Sequence, residues 1–358
     1  VNPDVIGEQI LTVAGTGSSN FIISATSIPS SADIKIGTVL FTDANNTLDP
    51  LAGKVLLTNQ YQPNSLLSGD IQVTDTQQGQ WGAISMDGGA RNPSVTINSR
   101  GSITLDGTVK TSTSSGDGGA IALFAKNNIN IQTLDASTDF GNGGDINLIS
   151  RDGAIKTTGE LNTNTNSTNA GNGGKITFQA KSGITTLGMR SDGGNNGVSG
   201  DINVTSDTGT ILVNGGEINS RNYGTLNGGA INLTSKAGSI FLRNGSRLNA
   251  NTVGSGDAGS VNISARNTVS FDNGSAASSS VEGSAIGNGG SINIATRSLS
   301  LTNDATLVIR TFGEGNAGTI DVKAKQFFLG SNASLVGDVN RNAEGRGGNI
   351  NLKVTGTI

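Results

Sequence analysis

The sequence predicts an all-β protein folded as a parallel β-helix, a solenoid of three sheets. Three observations predict this fold: a short motif recurs along the chain, apolar and polar residues alternate within each copy, and glycine is abundant. Glycine contributes 54 of the 358 residues, about twice its average share of roughly 7 %. Charged residues make up 14 % and aromatic residues 4 %, so few side chains could fill a wide globular core.

The recurring motif is a turn rich in glycine and asparagine, followed by an anchor glycine, one small or polar residue, and an apolar–polar–apolar triplet. Alternation with period two is typical of a strand with one buried face. The motif recurs about every 29 residues, and such strands bury their apolar faces only when successive copies stack. We therefore expect about ten coils. The anchor glycines are Gly82, Gly119, Gly144, Gly174, Gly200, Gly229, Gly259, Gly290, Gly318 and Gly348.

Stacking would place the first apolar residue of each triplet directly above its counterpart, about 4.8 Å away. Two further apolar runs follow each anchor, for example at Ile211/Val213 and Ile218. We expect Asn and Thr on the outer wall, φ > 0 at the turn Gly and Asn residues, and core positions for Phe124, Phe178, Phe241 and Phe271. The expected structural ladder is Ile84, Ile121, Ile146, Ile176, Ile202, Ile231, Val261, Ile292, Ile320 and Ile350.

Composition changes near residue 70. Glycine is sparse before this point, and all five prolines lie in the first 93 residues. We expect residues 1–69 to form a β-rich cap or irregular extension, with strands near Ile22–Ile23, Val39–Phe41 and Val55–Leu57. Residues 70–358 are expected to form the β-helix repeat domain.

The residue types that are absent exclude several kinds of chemistry. Cysteine and histidine are both missing, which excludes disulfides, Cys/His zinc sites and Ser-His-Asp catalysis. The net charge is −4 and no Lys/Arg cluster occurs, so no nucleic-acid partner is expected. No run approaches the ~18 apolar residues of a membrane-spanning helix. We expect no cofactor and no metal.

Three glycine-rich segments match or partly match the sequence patterns of nucleotide-binding motifs. Residues 254–259 and 313–318 fit G-x-G-x-x-G, but a strand pattern follows each one, where a dinucleotide site needs a helix. Gly174-Lys175 imitates a phosphate loop, yet Ile176 stands where Ser or Thr would bind magnesium. Aromatic platforms are few: Trp81 at the start of the repeats is expected to pack at a junction.

One charged column invites a catalytic interpretation. Asp145, Lys175 and Asp201 each follow an anchor glycine in consecutive coils. As an active site they would place two carboxylates about 9.6 Å apart around a lysine, near the upper limit for an inverting glycosidase. As a charge ladder they would fix coil register. We favour the ladder, because no other column of the sequence suggests a cluster of acids with basic partners.

The repeats resemble those of filamentous-haemagglutinin-type exoproteins, bacterial surface proteins of the two-partner-secretion type with many cyanobacterial examples. The resemblance covers roughly residues 82–358 and is carried by GNGGSINIATRSLSLTNDATLVI (287–309) and GNAGTIDVKAKQFFLGSNASLV (315–336). It implies a right-handed β-helix at the outer cell surface or outside the cell, acting in adhesion or surface structure. Residues 1–81 lack that family's NPNG-type secretion motif, so the secretion route stays open.

We therefore expect a non-catalytic structural or adhesive rod, or a filament subunit of an extracellular fibre or surface coat. The expected partners are copies of the chain joined end to end, cell-surface glycans or neighbouring cells. The variable segments around Asn195–Asn196 and Ser275–Ser280 are expected recognition points. The alternative function is a polysaccharide lyase or glycoside hydrolase on the same scaffold.

Overall fold

A computed structural model describes residues 11–14, 20–24, 34–37, 39–42, 54–60, 69–74, 83–85, 93–166, 168–283 and 285–357. Within these ranges every regular element is a strand and no helix occurs. All strand pairings are parallel and join one coil to the next. They give a β-solenoid with about 9 turns of ~29 residues from Val95 to Ile350, preceded by longer turns. The predicted all-β, parallel β-helix fold is confirmed.

The strands are short and follow one another without other regular elements. In chain order they are β1 (Leu11–Ala14), β2 (Asn20–Ser24), β3 (Ile34–Ile36), β4 (Val39–Thr42), β5 (Lys54–Thr58), β6 (Ile71–Val73), β7 (Ile84–Ser85), β8 (Ser94–Ser99), β9 (Ile103–Lys110), β10 (Ala120–Ala125), β11 (Ile129–Asp135), β12 (Ile146–Ser150), β13 (Ile155–Thr157), β14 (Glu160–Asn162) and β15 (Ile176–Ala180). They continue as β16 (Ile184–Thr186), β17 (Gly188–Arg190), β18 (Ile202–Ser206), β19 (Ile211–Asn214), β20 (Glu217–Asn219), β21 (Ile231–Ser235), β22 (Ile240–Arg243), β23 (Arg247–Asn249), β24 (Val261–Phe271), β25 (Ala276–Ser278), β26 (Ser291–Leu301), β27 (Thr306–Val308), β28 (Thr319–Leu329), β29 (Ser334–Val336) and β30 (Asn349–Val354).

Three sheets run along the solenoid axis, and each presents apolar columns to the interior. Sheet 1 carries the anchor triplets. Its inward column from the second described coil onward is Val55, Val95, Ile121, Ile146, Ile176, Ile202, Ile231, Val261, Ile292, Ile320 and Ile350. All of these side chains are fully buried except Ile350, which lies in β30 and is 40 % exposed. The aliphatic ladder therefore forms the core on this side.

Sheets 2 and 3 carry the second and third apolar runs. The sheet 2 column is Ile34, Ile71, Ile103, Ile129, Ile155, Ile184, Ile211, Ile240, Val269, Leu299 and Phe327. The sheet 3 column is Ile84, Val109, Leu134, Leu161, Met189, Ile218, Leu248, Ala277, Leu307 and Leu335. Sheets 1 and 2 add a second inward column two residues further along the strands, for example Leu123, Leu148 and Phe178 in sheet 1. The described coils thus line the interior with apolar residues from all three sheets.

The strands before residue 70 pair in the same way as those after it. β2 pairs with β5 and β5 with β8 in sheet 1, while β3 and β6 lead into β9 in sheet 2. All these pairings are parallel. The change of composition near residue 70 is therefore not matched by a break in strand stacking.

The expected position of Ile84 in the anchor column is wrong. Ile84 pairs with Val109 in sheet 3, whereas Val95 lies next to Ile121 in sheet 1. The motif at Gly82 resembles the later copies in composition, but it lies 37 residues before the next anchor, Gly119. Val95 precedes Ile121 by 26 residues, close to one period, and β8 alternates apolar and polar residues as the other anchor strands do.

Two of the four phenylalanines expected in the core face outward. Phe178 and Phe271 are buried, but Phe124 and Phe241 lie at alternate positions of β10 and β22 and are partly exposed. Because successive side chains of a strand point to opposite faces, the inward Leu123 leaves Phe124 on the outside. The Arg243 guanidinium covers the Phe241 ring at 4.8 Å from its centroid.

The turn glycines serve close packing more than unusual backbone angles. Among the described residues, the expected φ > 0 at the turn before the anchor strand occurs there only at Gly116, Gly141, Gly171 and Gly283, while the non-glycine residues with φ > 0 lie at the turns between sheets 2 and 3. At the anchor glycines themselves, an added Cβ would collide with backbone of the adjacent coil. At Gly259, for example, it would lie 1.8 Å from the carbonyl oxygen of Gly229. Glycine is therefore required by the coil spacing.

Candidate functional site

The sequence-predicted charge column lies on the solenoid surface with its members in consecutive coils. The Asp145 carboxylate accepts a hydrogen bond from the backbone N–H of Lys175 at 2.7 Å, and Asp201 accepts one from the N–H of Ala230 at 2.8 Å. The structure brings the three residues into one column, but among the described residues no ion pair joins Lys175 to either aspartate. The two carboxylates hold adjacent coils together.

The glycine-rich motifs lead directly into strands. Gly259 and Gly318, the last glycines of the two G-x-G-x-x-G matches, precede β24 and β28, and Gly174 precedes β15. A Cβ at Gly318 would lie 1.5 Å from the carbonyl oxygen of Gly290. These glycines allow backbone-to-backbone contact between coils, and no helix N-terminus stands behind them to receive a phosphate. Trp81 lies outside the described residues.

An asparagine ladder lines the outer face of sheet 1. The side-chain amides of Asn232, Asn262 and Asn293 each donate to the Oδ1 of the preceding coil's asparagine at 2.8 Å. Asn351 donates in the same way to Asp321 at 2.9 Å. The ladder pairs these side chains with one another and leaves few of their polar atoms free for a ligand. In the same outward column, Asn147 Oδ1 is buried without a hydrogen-bond partner.

Sheet 3 carries a polar surface of mixed charge. We call this surface the sheet 3 groove. Its residues occupy the outward positions of β14, β17, β20, β23, β25 and β27 and of the turns beside them. Two adjacent cavities open on it, with volumes of about 310 Å³ and 410 Å³. The first is lined by residues including Asn164, Arg190, Asp192 and Tyr223, and the second by residues including Arg221, Arg247, Asn249, Ser278 and Glu282.

A side-chain-to-backbone ladder runs along the corner after sheet 3. Asn164 accepts a hydrogen bond from the N–H of Asp192 at 2.7 Å, and Asp192 accepts one from the N–H of Arg221 at 2.7 Å. Two coils further on, Asn251 accepts from the N–H of Ser280 at 2.8 Å. Each of these bonds joins one coil to the next and contributes about 0.5–1.5 kcal/mol.

Arg221 interrupts this ladder, because a guanidinium has no acceptor atom. Its Nε is buried without a hydrogen-bond partner. Its nearest acidic oxygen is Glu217 Oε2 at 4.0 Å. Burial lowers the pKa of the Arg221 guanidinium, but the neighbouring Tyr223, Glu282 and Asp192 raise it above its ordinary value. The position therefore gives up one inter-coil bond and buries an unsatisfied donor, which is costly unless an external acceptor satisfies it.

The charges around Arg221 are partly neutralised within the groove. Arg190 forms an ion pair with Glu160, and this hydrogen bond raises the pKa of Arg190. Burial raises the pKa of the Asp192 carboxyl above its ordinary value, although the N–H of Arg221 and the nearby guanidiniums lower it. Glu282 accepts a hydrogen bond from the side-chain amide of Asn251. Glu160, Asp192 and Glu282 are thus engaged by the protein itself. Asp304 lines the second cavity, and among the described residues no ion pair engages its carboxylate.

Arg247 differs from the other arginines of this groove. It is exposed, lies one coil beyond Glu217 in β23, and lines the same cavity as Arg221. None of the described residues forms an ion pair with its guanidinium. One cavity therefore contains two guanidiniums with unused donors.

The expectation that no further column would combine acids with basic partners is wrong. Glu160, Arg190, Asp192, Glu217 and Arg221 come together in the sheet 3 groove, because the third runs of successive coils and the turns after them stack in register. Aligning those runs on their apolar residues would have revealed the cluster. The variable segment 275–280 contributes Ala276 and Ser278 to the same cavity, while Asn195 and Asn196 lie exposed on a loop.

In the described part of the chain, no group of three or more acidic residues is arranged to hold a metal ion. The same residues include no helix of the length and apolar character needed to cross a membrane.

No family model, no curated protein and no solved structure matches the chain.

Proposed function

We propose that the chain is a non-catalytic structural and adhesive rod that works outside a bacterial cell or on its outer surface. The observation that carries this proposal is the uninterrupted parallel stacking of about 9 turns, with polar ladders along the outside. A solenoid in which each coil contacts only its neighbours gives an extended surface at modest chain length. The carboxylates of Asp145 and Asp201 support the proposal, since both are used for coil stacking.

The test combines shape with adhesion. Beads coated with the purified chain should attach to a panel of fixed bacterial and eukaryotic cells, while beads coated with heat-unfolded chain should not. Negative-stain microscopy should show rods. Attachment that is equal for folded and unfolded chain, or a compact particle, contradicts the proposal.

End-to-end association of copies is a further part of this proposal. An uncovered end of a parallel stack presents unpaired strand edges that can pair with another chain. Sedimentation over a wide concentration range tests this part, and a strictly monomeric rod at the highest concentration refutes it.

A polysaccharide lyase or hydrolase is the second candidate, favoured by the mixed-charge cluster of the sheet 3 groove. Catalysis there would require an accessible carboxyl group, and Asp192 is 6 % exposed and bonded to the N–H of Arg221. Incubation with a broad panel of neutral and acidic polysaccharides tests the alternative. Release of new reducing ends or unsaturated products by wild type, lost in Asp201→Asn or Asp192→Asn, would replace the proposed function by an enzymatic one.

A further inference from the structure

The arginine pair of the sheet 3 groove is not explained by the needs of the solenoid. In three other coils of this corner, the side chain is an acceptor that bonds the N–H of the next coil, as Asn164, Asp192 and Asn251 do. Arg310 also stands at this position, but its guanidinium is paired with Asp338 of the next coil. At Arg221 the acceptor is replaced by a donor whose Nε is buried and unsatisfied. Unlike Arg310, Arg221 finds no carboxylate in the next coil among the described residues. Its unsatisfied Nε therefore indicates that this coil meets an acceptor from outside.

Arg247 supplies a second donor in the same cavity. Its partner positions in the adjacent coils are Glu217 and Ala276, and Glu217 is bonded to the side chain of Asn219 at 3.2 Å. A planar guanidinium matches a carboxylate with two parallel N–H···O bonds. Two such groups beside one cavity favour an anionic ligand with planar carboxylates.

The rest of the cavity favours a sugar. Asn249, Ser278 and Thr306 bring amide and hydroxyl groups to its wall, each in a successive coil. Asn249 donates to Asn219 at 2.8 Å, and none of the described residues donates to its own Oδ1. The coil spacing of about 4.8 Å is close to the length of one sugar unit, so a linear chain lying along the axis would meet equivalent positions in successive coils.

We propose that the sheet 3 groove binds a linear polysaccharide of uronic acids, with sugar carboxylates held by Arg221 and Arg247. The amide and hydroxyl groups of Asn249, Ser278 and Thr306 contact the sugar hydroxyls. Glu282, which is held by Asn251, and Asp304 also line this cavity and border the bound chain. This inference rests on the proposed function, for which it supplies the class of ligand.

The experiment is a calorimetric titration of the full chain with tetragalacturonate and tetramannuronate. It is done at low salt, because dissolved ions screen the contacts between arginine and carboxylate. Wild type should bind at least one of the two acids, and the methyl ester of that acid should bind at least tenfold more weakly. Arg247→Gln should weaken acid binding at least tenfold. Arg266→Gln, an exposed arginine in β24 outside the cavity, is the matched control and should bind as wild type does.

Arg221→Gln gives a second test, because glutamine cannot form the bidentate contact. Its thermal unfolding midpoint is measured first, and binding is compared only if the protein remains folded; Arg247→Gln keeps the inference falsifiable in either case. The inference is overturned if neither acid binds, if the ester binds equally, or if Arg266→Gln weakens binding as much as Arg247→Gln.

Bead adhesion separates this inference from the proposed function. Beads of wild type that adhere to cells, and adhere equally with Arg247→Gln or with excess tetragalacturonate and tetramannuronate, would overturn the uronate site and leave the adhesive rod standing. Absence of adhesion by wild type, with uronate binding intact in calorimetry, would contradict the adhesive function alone.

Discussion

Replacing Gly259 by alanine tests whether the coil spacing itself requires glycine. The new Cβ would lie 1.8 Å from the carbonyl oxygen of Gly229. The two backbones would have to separate by about 1 Å or more to reach ordinary van der Waals contact. Two backbone hydrogen bonds flank this contact, from Gly228 to Asp257 and from Ile231 to Ser260, each 2.8 Å long. A separation of that size takes both beyond hydrogen-bond length.

The expected loss of unfolding free energy follows from these contacts. Two hydrogen bonds at about 0.5–1.5 kcal/mol each and overpacking of about 1–3 kcal/mol together give about 2–6 kcal/mol. Urea unfolding followed by circular dichroism measures the free energy. Hydrogen exchange at the amides of Gly228 and Ile231 measures the local effect and should be faster in the variant.

Gly183→Ala is the matched control for this substitution. A Cβ at Gly183 would meet only Thr210, at 3.1 Å from its carbonyl oxygen, and its backbone has no positive φ. Its cost should stay below about 1 kcal/mol, since alanine also restricts the unfolded chain. Equal stability of the two variants, with unchanged exchange at Gly228 and Ile231, would refute the assignment of these glycines to close coil contact.

Three further substitutions test the ladders and the core. Asn232→Ala removes one donated and one accepted amide bond of 2.8 Å and should cost about 1–3 kcal/mol by urea unfolding; no measurable loss would show that the ladder does not stabilise the stack. Ile231→Ala, at a fully buried position, should cost about 2–5 kcal/mol, whereas Leu226→Ala, 48 % exposed, should cost under about 1 kcal/mol. Burial raises the folded-state pKa of Asp192, so ionisation of this carboxyl destabilises the folded chain. The stability that the protonated carboxyl gives is fully present below its unfolded pKa of about 3.9 and is lost as the pH rises through its folded pKa. Asp192→Asn keeps an acceptor for the N–H of Arg221 and should therefore be more stable than wild type at pH 7, with the difference vanishing near pH 3; a constant difference across this range would contradict the burial effect.

The fold could be predicted from the sequence because the same residue types meet at every coil. Ile146, Ile176 and Ile202 lie at matching positions of successive motifs, so a period alone places them in one column. The same logic failed at Gly82, where a motif of similar composition belongs to another sheet. Composition identifies a turn, whereas the distance to the next copy identifies its place in the coil.

The sheet 3 groove could not be found in the same way. Its columns contain chemically different residues in adjacent coils, such as Arg190 beside Asn219, and its apolar anchors include Met189 and Ala277. A search for repetition overlooks positions that do not repeat. The interruption at Arg221 depends on which atom bonds which backbone N–H, and three-dimensional contacts are needed to show it.

The long strands β24, β26 and β28 cross from sheet 1 into sheet 2 without a turn, whereas earlier coils divide the same path into two strands. Each winding nevertheless matches the one before it residue for residue along its anchor strand, as β24 and β26 do. A whole winding downstream of the arginines could therefore be duplicated or deleted. The two windings brought together by such a change would still place similar residues opposite one another in the anchor strands. The length of the molecule could therefore change in steps of one strand spacing, while the proposed ligand site of the sheet 3 groove would keep its residues.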